Sequence, residues 1–298
     1  MSAEPTEVSV IVVNWNGGDA LQTCLRSVAA ATQGRRADVW LVDNASSDGS
    51  CERAVRSFPA LHLVRNAGNL GFAGAANQAL SRAVGKYLLL LNPDAQITAE
   101  ALSRMLAAMR ASPRIGIAGC GSVDSSGRQV PAFEPSFPGQ RARQLRNVGD
   151  DASDVAWVSG ACLMAKREMA DEIGLLDPRF FMYYEDVDWC YRAWEAGWRV
   201  VTVPAALIRH ELGGSSAEVP PGETARRTAR SRLLFYRKHY SAGRARWLAC
   251  RMFASALAGL LQRLVPALFR RKARERMRED WARLRVVLTG GRQKEVPQ

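Results

Sequence analysis

The sequence lacks the marks of several common classes of protein. Its six cysteines are scattered and none form a C-x-x-C pair, so we expect reduced, mostly buried thiols in a cytosolic protein. No signal peptide precedes the first apolar run at Val8, which favours a cytoplasmic location. The longest uncharged run of the apolar C-terminal region, 252–262, has 11 residues, whereas a transmembrane helix needs roughly 20.

The net positive charge of the protein comes from the end of the chain. Residues 1–225 have a net charge of −4 and residues 226–298 have a net charge of +16. The high isoelectric point is therefore a property of the last quarter. With 47% hydrophobic residues there is ample material for a packed core. We predict a globular domain over 1–225 and a basic, amphipathic helical extension over 226–298.

The first part of the chain alternates between short apolar runs and stretches of helical spacing. Continuous apolar runs are typical of strands buried on both faces, and they occupy 8–13, 39–42, 61–64, 87–91 and 115–118. Helical stretches lie between them, with Asp48 and Thr98 as candidate caps and one helix predicted over 71–84. This alternation predicts right-handed crossovers. The predicted class is α/β, a Rossmann-like, mostly parallel sheet flanked by helices.

Polar side chains follow four of these runs, namely Asn14, Asp43, Asn66 and Asp94. In open parallel sheets ligands bind beyond the carboxyl ends of the strands, so these residues predict a binding site along one rim. Two structural alternatives stay open. Asp43 could form an Asx turn, and Asp94 could cap a helix.

A second acidic cluster, Glu185-Asp186-Val187-Asp188, follows the aromatic run 180–184. Helical spacing after it places the acids at a helix N-terminus, where the macrodipole favours ionised carboxylates. Asp188 lies about 200° around the helix from Asp186, so we expect it to be structural and paired with Arg192. The region 120–153 is predicted to be a long loop, either a solvated connector or a lid.

Several stretches, in this order and at this spacing, resemble the family 2 glycosyltransferases, which have a GT-A fold. Among them, the rhamnosyltransferase-like branch is the most similar. The resemblance covers roughly residues 7–216, and it rests on VSVIVVNWNG (8–17), LVDNASSDGS (41–50), NAGNLGFAGAANQAL (66–80), LLLLNPDA (88–95), VSGACLMAKRE (158–168), FFMYYEDVDWCYRAWEAGWRV (180–200), Arg209-His210 and residues 213–216.

The resemblance implies a nucleotide-sugar site at the rim. Asp43 takes the position of the acid that contacts the donor nucleoside, and Asn14 lies in the loop around the nucleotide. The glycine-rich segment 66–77 lies under the pyrophosphate and sugar, where helix N–H groups can bind phosphate. The predicted donor-binding residues are Asn14, Asn16, Asp43, Asn44, Asn66, Gly71, Asn77, Asn92 and Asp94.

The resemblance also implies a divalent metal. The wider family has an Asp-x-Asp signature where this chain has Asn92-Pro93-Asp94, a departure that belongs to the rhamnosyltransferase-like branch. Asp94 remains as the expected metal ligand, and His210 matches a position that can complete the metal shell. One carboxylate with a donor diphosphate suits Mg²⁺, and a nearby imidazole makes Mn²⁺ a second candidate.

Asp186 is the predicted catalytic base, with Glu185 supporting it or contacting the acceptor. An inverting transfer needs one carboxylate to take the proton of the acceptor hydroxyl, and the metal stabilises the leaving diphosphate. The predicted reaction moves a sugar, by resemblance rhamnose from a dTDP- or UDP-linked donor. The acceptor would be a lipid-linked or growing surface glycan.

The C-terminal quarter combines an apolar helical stripe over 247–269 with a basic cluster over 270–278. This combination predicts peripheral binding of 246–278 to the anionic inner face of the cell membrane. The alternatives are a helix that packs on the domain, and non-specific binding to nucleic acid phosphate. No base-reading motif supports specific nucleic-acid binding.

Two other functions stay open at this point. A nucleotidyltransferase on a similar sheet would also use acidic metal ligands, but it typically has a basic glycine-rich loop near its N-terminus. Residues 14–18 contain no lysine or arginine. A non-catalytic sugar-binding or scaffold protein would tolerate loss of the Glu185-Asp186 pair, so that substitution separates it from an enzyme.

Overall fold

The predicted alternation of strands and helices is present in the computed structural model of the chain, which describes residues 5–130, 132–141, 152–210, 222–263 and 271–291. The chain divides into two compact units. One consists of 1–179 with 185–215, and the other of 180–184 with 216–298. The predicted boundary after residue 225 falls inside a helix over 223–239 and stays a prediction.

The first unit contains most of the regular structure. Its strands are β1 (Val8–Asn14), β2 (Ala37–Asp43), β3 (His62–Arg65), β4 (Tyr87–Leu91), β5 (Ala95–Gln96), β6 (Ile115–Val123), β7 (Gln129–Val130), β8 (Phe133–Glu134), β9 (Ser153–Asp154), β10 (Trp157–Val158), β11 (Cys162–Lys166) and β12 (Arg199–His210). Its helices are α1 (Gly18–Thr32), α2 (Ser50–Ser57), α3 (Gly71–Leu80), α4 (Ala99–Ala111), α5 (Arg167–Ile173) and α6 (Glu185–Glu195).

The central sheet has the strand order β3-β2-β1-β4-β11-β6-β12-β5. The strands from β3 to β4 are parallel, and so are β6 and β12. β11 runs antiparallel to both of its neighbours, β4 and β6. Every residue of β1 and β4 is buried, because helices cover both faces of the sheet. The predicted α/β class, with a mostly parallel sheet flanked by helices, is confirmed.

Two of the predicted helix starts can be compared with the structure. The Thr98 side chain accepts a hydrogen bond from the Ala101 N–H and caps α4, as predicted. Asp48 is not the cap of α2, because Gly49 occupies that position with a φ of 72°. Asp48 instead accepts from the Ser50 N–H at 3.0 Å and the Gly18 N–H at 2.8 Å, so it ties two rim loops together.

The predicted long loop over 120–153 is wrong in part. β6 continues to Val123, and β7 and β8 follow it, while residues 142–151 lie outside the described part of the chain. The glycines of this region suggested a loop, but Gly121, like Gly119 just before the region, serves close packing. A Cβ atom on Gly119 would lie 2.5 Å from the Val158 Cβ, and one on Gly121 would lie 2.5 Å from the Pro204 carbonyl oxygen.

Two further boundaries differ from the sequence prediction. α3 ends at Leu80 rather than at residue 84. β12 extends through His210, whereas the apolar residues over 198–203 predict a strand that ends before it. The extension of β12 matters for the site, because it fixes the His210 backbone in a sheet, opposite Ala95 of β5.

Within its described residues, the second unit contains the 180–184 segment and the helices α7 (Glu223–His239), α8 (Ala242–Arg263) and α9 (Arg271–Leu288). Asp280 of α9 pairs with Arg263 and Arg283, so a buried acid joins α9 to α8. The helical extension is therefore confirmed. No helix within the described residues is long and apolar enough to cross a membrane. The predicted apolar and basic residues over 264–270 lie outside the described residues.

Candidate active site

Asn14 organises the first part of the rim. It ends β1, its side chain is fully buried, and its Nδ2 lies 3.0 Å from Asp43 Oδ1. The same nitrogen lies 2.9 Å from the hydroxyl oxygens of Ser46 and Ser50, while Oδ1 accepts from the Gly17 N–H at 3.2 Å. A fully buried amide with these partners holds loops in place. Asn14 therefore positions Asp43, and its role in binding the nucleotide donor stays a prediction.

Asn44 organises the second part of the rim in the same way. Its Oδ1 accepts from Asn66 Nδ2 at 3.1 Å and from the Leu70 N–H at 2.9 Å, and its Nδ2 donates to the Gly71 carbonyl at 3.2 Å. Gly71 has a φ of +74°, which favours glycine. This network holds the glycine-rich segment at the start of α3, where a phosphate would meet the helix N-terminus.

Two further predicted asparagines have different partners. Asn16 Oδ1 accepts from the Ser47 N–H at 2.9 Å, so Asn16 belongs to the rim. Asn77 lies inside α3 and bonds with both ends of its amide to the backbone of Leu176, at 2.8 Å and 3.1 Å. Asn77 therefore fixes the segment after α5, and its role in donor binding stays a prediction.

Asp94 and His210 meet at the end of β4. His210 Nε2 lies 3.2 Å from Asp94 Oδ1, and both side chains are largely buried. The Asn92 side-chain amide lies 3.5 Å from the same imidazole nitrogen. Apart from this imidazole contact, the buried Asp94 Oδ1 has no hydrogen-bond partner among the described residues. A buried carboxylate oxygen with a single neighbour at 3.2 Å keeps unused acceptor capacity, which a cation would satisfy.

These two side chains fit a metal that the substrate also binds. Within the described residues, no three His, Cys, Asp or Glu side chains cluster in a way that could hold an ion. A site made by the protein alone is thus not formed there. Mg²⁺ commonly takes one or two carboxylates together with water and substrate phosphates. Asp94 and His210 would supply the protein part of such a shell.

Glu185 and Asp186 begin α6, as predicted. Asp186 accepts two backbone hydrogen bonds of 2.8 Å, from Gly160 to Oδ2 and from Val187 to Oδ1. Glu185 is 7% exposed, and its Oε2 has no partner among the described residues. Asp186 is therefore held in one orientation, whereas Glu185 is a buried acid with little to stabilise its charge.

Burial raises the pKa of both acids. Desolvation is the main cause for Glu185, and the charge of Asp186 raises that pKa further. Desolvation also raises the pKa of Asp186, although the Gly160 and Val187 N–H groups oppose the shift. The helix macrodipole was expected to favour ionisation, but burial outweighs it here. A carboxylate with a raised pKa is a stronger base.

Asp188 has a structural role, as predicted. It is fully buried, and its Oδ2 accepts from Arg192 Nε at 2.9 Å. The other nitrogens of Arg192 donate to the carbonyls of Ile173 and Leu175 at 2.6 Å each. This ion pair anchors α6 to the end of α5, so the third acid of the cluster supports the first two.

One short turn connects Asp186 to the segment that carries Asp94. The Gly160 N–H bonds to Asp186, and the neighbouring Ala161 carbonyl accepts from the Asn92 N–H at 2.9 Å. Ala161 and His210 also line a common cavity of about 50 Å³. The turn over 159–161 therefore holds Asp186 on one side and the segment that carries Asp94 on the other.

Sequence reasoning missed the residues that position these groups. Ser46 and Ser50 hold Asn14, and the Gly160 backbone holds Asp186. The serines lie in the polar stretch after Asp43, which was a usable signal. A glycine inside the apolar stretch 155–164 indicates close approach of another group to the backbone, and at Gly160 that group is the Asp186 side chain.

The sheet, its polar rim and the two acidic groups agree with the GT-A class of fold. The model of the family described as "Glycosyl transferase family 2" matches residues 9–174, more than half of the chain. The chain belongs to this family, and it is a glycosyltransferase. The predicted family is confirmed, which removes the nucleotidyltransferase and non-catalytic alternatives.

A curated relative supports the narrower resemblance. The chain is 31% identical over 245 residues to the N-acetylglucosaminyl-diphospho-decaprenol L-rhamnosyltransferase of Mycobacterium tuberculosis. The match covers 72% of this chain and 80% of that protein. A rhamnosyltransferase is therefore among the relatives of this chain.

Solved structures share the fold at low sequence identity. The mannosyltransferase PcManGT of Pyrobaculum calidifontis, in complex with GDP-Man and Mn²⁺, has a TM-score of 0.61 at 17% identity, covering 99% of this chain and 91% of that one. Staphylococcus aureus TarS 1-349, in complex with UDP-GlcNAc, has a TM-score of 0.57 at 16% identity, covering 96% and 92%.

Proposed function

We propose that this glycosyltransferase is an inverting, divalent-metal-dependent enzyme that transfers rhamnose from dTDP-rhamnose to a lipid-linked glycan. The observation that carries the proposal is the 159–161 turn, which joins the Asp186 carboxylate to the segment of Asp94. The named activity of the mycobacterial relative supports the sugar and the lipid-linked acceptor.

The residues divide the reaction between two sides of the site. Asp43 and the segment held by Asn44 would bind the nucleoside and the diphosphate of the donor. Asp94 and His210 would hold Mg²⁺ or Mn²⁺, which supplies positive charge to the departing diphosphate. Asp186 would accept the proton of the acceptor hydroxyl as that oxygen attacks the anomeric carbon. No side chain of the protein then needs to act as a nucleophile.

Hydrolysis of a panel of nucleotide sugars tests the donor. With Mg²⁺ or Mn²⁺ present, we expect slow release of dTDP from dTDP-rhamnose, because water can replace the missing acceptor. Release from UDP-GlcNAc and GDP-mannose should be at least about tenfold slower, since one lost hydrogen-bonding partner is worth roughly that factor. Chromatography of the released nucleotide measures this. Preference for either of those other donors would reject dTDP-rhamnose.

We also propose that the second unit binds the anionic inner face of the cell membrane. One face of α8 carries Trp247, Leu257 and Leu261, hereafter the α8 stripe, and these residues are 56%, 40% and 61% exposed. These residues lie within about 80° of one another around the helix. The residues that α8 buries, Leu248 and Ala256, lie on the other side. Apolar residues beside a strongly basic surface favour an anionic lipid interface.

Two acidic substitutions in the α8 stripe test this association. We expect Trp247→Glu with Leu261→Glu to reduce sedimentation with phosphatidylglycerol vesicles by about tenfold or more, because both remove apolar contact and add repulsion. The matched control places glutamate at Val84 and Leu207, which are exposed apolar residues of the first unit. Equal loss in both variants, or none in either, would refute the α8 stripe as the membrane contact.

A further inference from the structure

The second unit contains a cavity of about 350 Å³ between α7 and α8. This volume lies within the roughly 300–1,000 Å³ that small-molecule sites typically occupy. Its lining combines apolar side chains with two guanidinium groups, from Leu233, Arg237, Tyr240, Ala245, Arg246 and Ala249. None of the reaction steps assigned to the rim involves these residues.

The two arginines give the cavity a positive charge. Arg237 Nη1 donates to the Gly290 carbonyl at 2.9 Å, which fixes the guanidinium and leaves most of its five donors for a ligand. Arg246 is exposed on α8. Among the residues that the structure describes, no acidic side chain is part of the lining. The described acids Glu223 and Asp280 are paired with other arginines of the same unit.

The cavity also lies beside the α8 stripe. Arg246 directly precedes Trp247, and the two side chains are about 100° apart around the helix. The Tyr240 ring forms part of the lining, with the Arg244 guanidinium 4.5 Å from its centre. A ligand that enters here would meet fixed positive charge and apolar carbon together, next to the apolar surface of the helix.

We infer that this cavity binds the phosphate group of an anionic lipid, as a phosphodiester or a diphosphate. Guanidinium groups bind phosphate oxygens in a bidentate geometry, and the alanines and Leu233 accept the first carbons of the lipid. Free inorganic phosphate has the same charge chemistry without the carbons, so it should bind more weakly. The inference rests on the proposed membrane association of the second unit.

Calorimetric titration of the full chain with dihexanoylphosphatidylglycerol, below its micelle concentration, tests the site. We expect one site per chain and a Kd at least about tenfold lower than that for inorganic phosphate, because the apolar contacts add to the charge. Arg237→Gln with Arg246→Gln should raise that Kd by about tenfold or more, since each charged hydrogen bond contributes on that order. Arg56→Gln with Arg82→Gln removes the same charge from exposed residues of the first unit and should change it less than about threefold.

The results separate this site from the membrane proposal. Equal weakening in both charge variants, or equal affinity for inorganic phosphate and the short-chain lipid, would overturn the assignment of a lipid phosphate to this cavity. Vesicle sedimentation of the wild type is independent of that outcome. If the wild type binds vesicles but the Arg237 and Arg246 variant titrates normally, the cavity is refuted and the membrane association stands. If the wild type fails to bind vesicles, that result alone refutes the membrane association.

Discussion

Replacing Asp186 by asparagine is expected to lower the rate of sugar transfer by about 10²–10⁴-fold, the usual contribution of a general base. The donor should still bind with nearly the same Kd, because Asp186 is assigned to the acceptor hydroxyl. Steady-state kinetics with dTDP-rhamnose, together with calorimetric donor binding, measure both quantities. Turnover close to that of the wild type would reject Asp186 as the base.

The substitution also has a structural cost that must be measured separately. Asp186 accepts from two backbone N–H groups, and an asparagine can accept from only one while its amide nitrogen faces the other. That mismatch should cost about 1 kcal/mol of stability. A thermal melt detects it, and a folded variant that binds donor shows that the lost rate is chemical.

Glu185→Gln is the matched control for this experiment. Because burial raises the pKa of Glu185 well above its ordinary value, glutamine replaces a carboxyl group that is readily protonated in the folded state. Turnover at neutral pH should therefore fall less than about tenfold.

The raised pKa of Asp186 also determines the direction in which activity changes with pH. Activity should be lost as pH falls through that pKa, which lies above the usual range near 3.9.

Replacing Asp94 by asparagine is expected to reduce metal-dependent donor binding by about 10²–10³-fold. The reason is that the carboxylate proposed to hold the cation, and through it the diphosphate, loses its charge. The Asp94 Oδ1 lies 3.2 Å from the His210 imidazole, and an asparagine oxygen can accept from that ring as well, so the substitution should cost little stability. Calorimetric titration of dTDP-rhamnose with and without Mn²⁺ measures the effect.

Asp124→Asn is the control for the lost charge. Asp124 lies in the turn between β6 and β7, where it bonds to Ser126 and Arg128, and it belongs to no part of the rim. Donor binding should be unchanged in this variant. Retained metal-dependent binding in Asp94→Asn, at the level of the Asp124 variant, would remove Asp94 from the metal site.

The first half of the fold could be predicted because its signals are local. Each strand from β1 to β4 is one apolar run, and each connection is one helix, so periodicity alone shows both. The antiparallel β11 between β4 and β6 could not be predicted in the same way. Its apolar residues are visible, but its neighbours are set by pairing with distant parts of the chain. β7 and β8, with two residues each, are too short to show a pattern.

The candidate site shows the same limit. Asp43, Asp94 and Asp186 could be selected because strand ends and a helix start gather them at one rim and because the resemblance assigns them roles, although turns and caps also favour acids there. The role of Asn77 could not, since its partner Leu176 is 99 residues away and bonds through its backbone. The raised pKa of Glu185 also depends on burial by distant residues, which the adjacent sequence does not contain.

The anomeric configuration of the product tests the central claim most directly. If Asp186 acts on the acceptor hydroxyl and no side chain of the protein attacks the sugar, the acceptor oxygen displaces the diphosphate in one step. The new glycosidic bond then has the configuration opposite to that of the donor. NMR coupling constants at the anomeric carbon of the isolated product measure this. Inversion is the expected result, and retention of configuration would contradict the account.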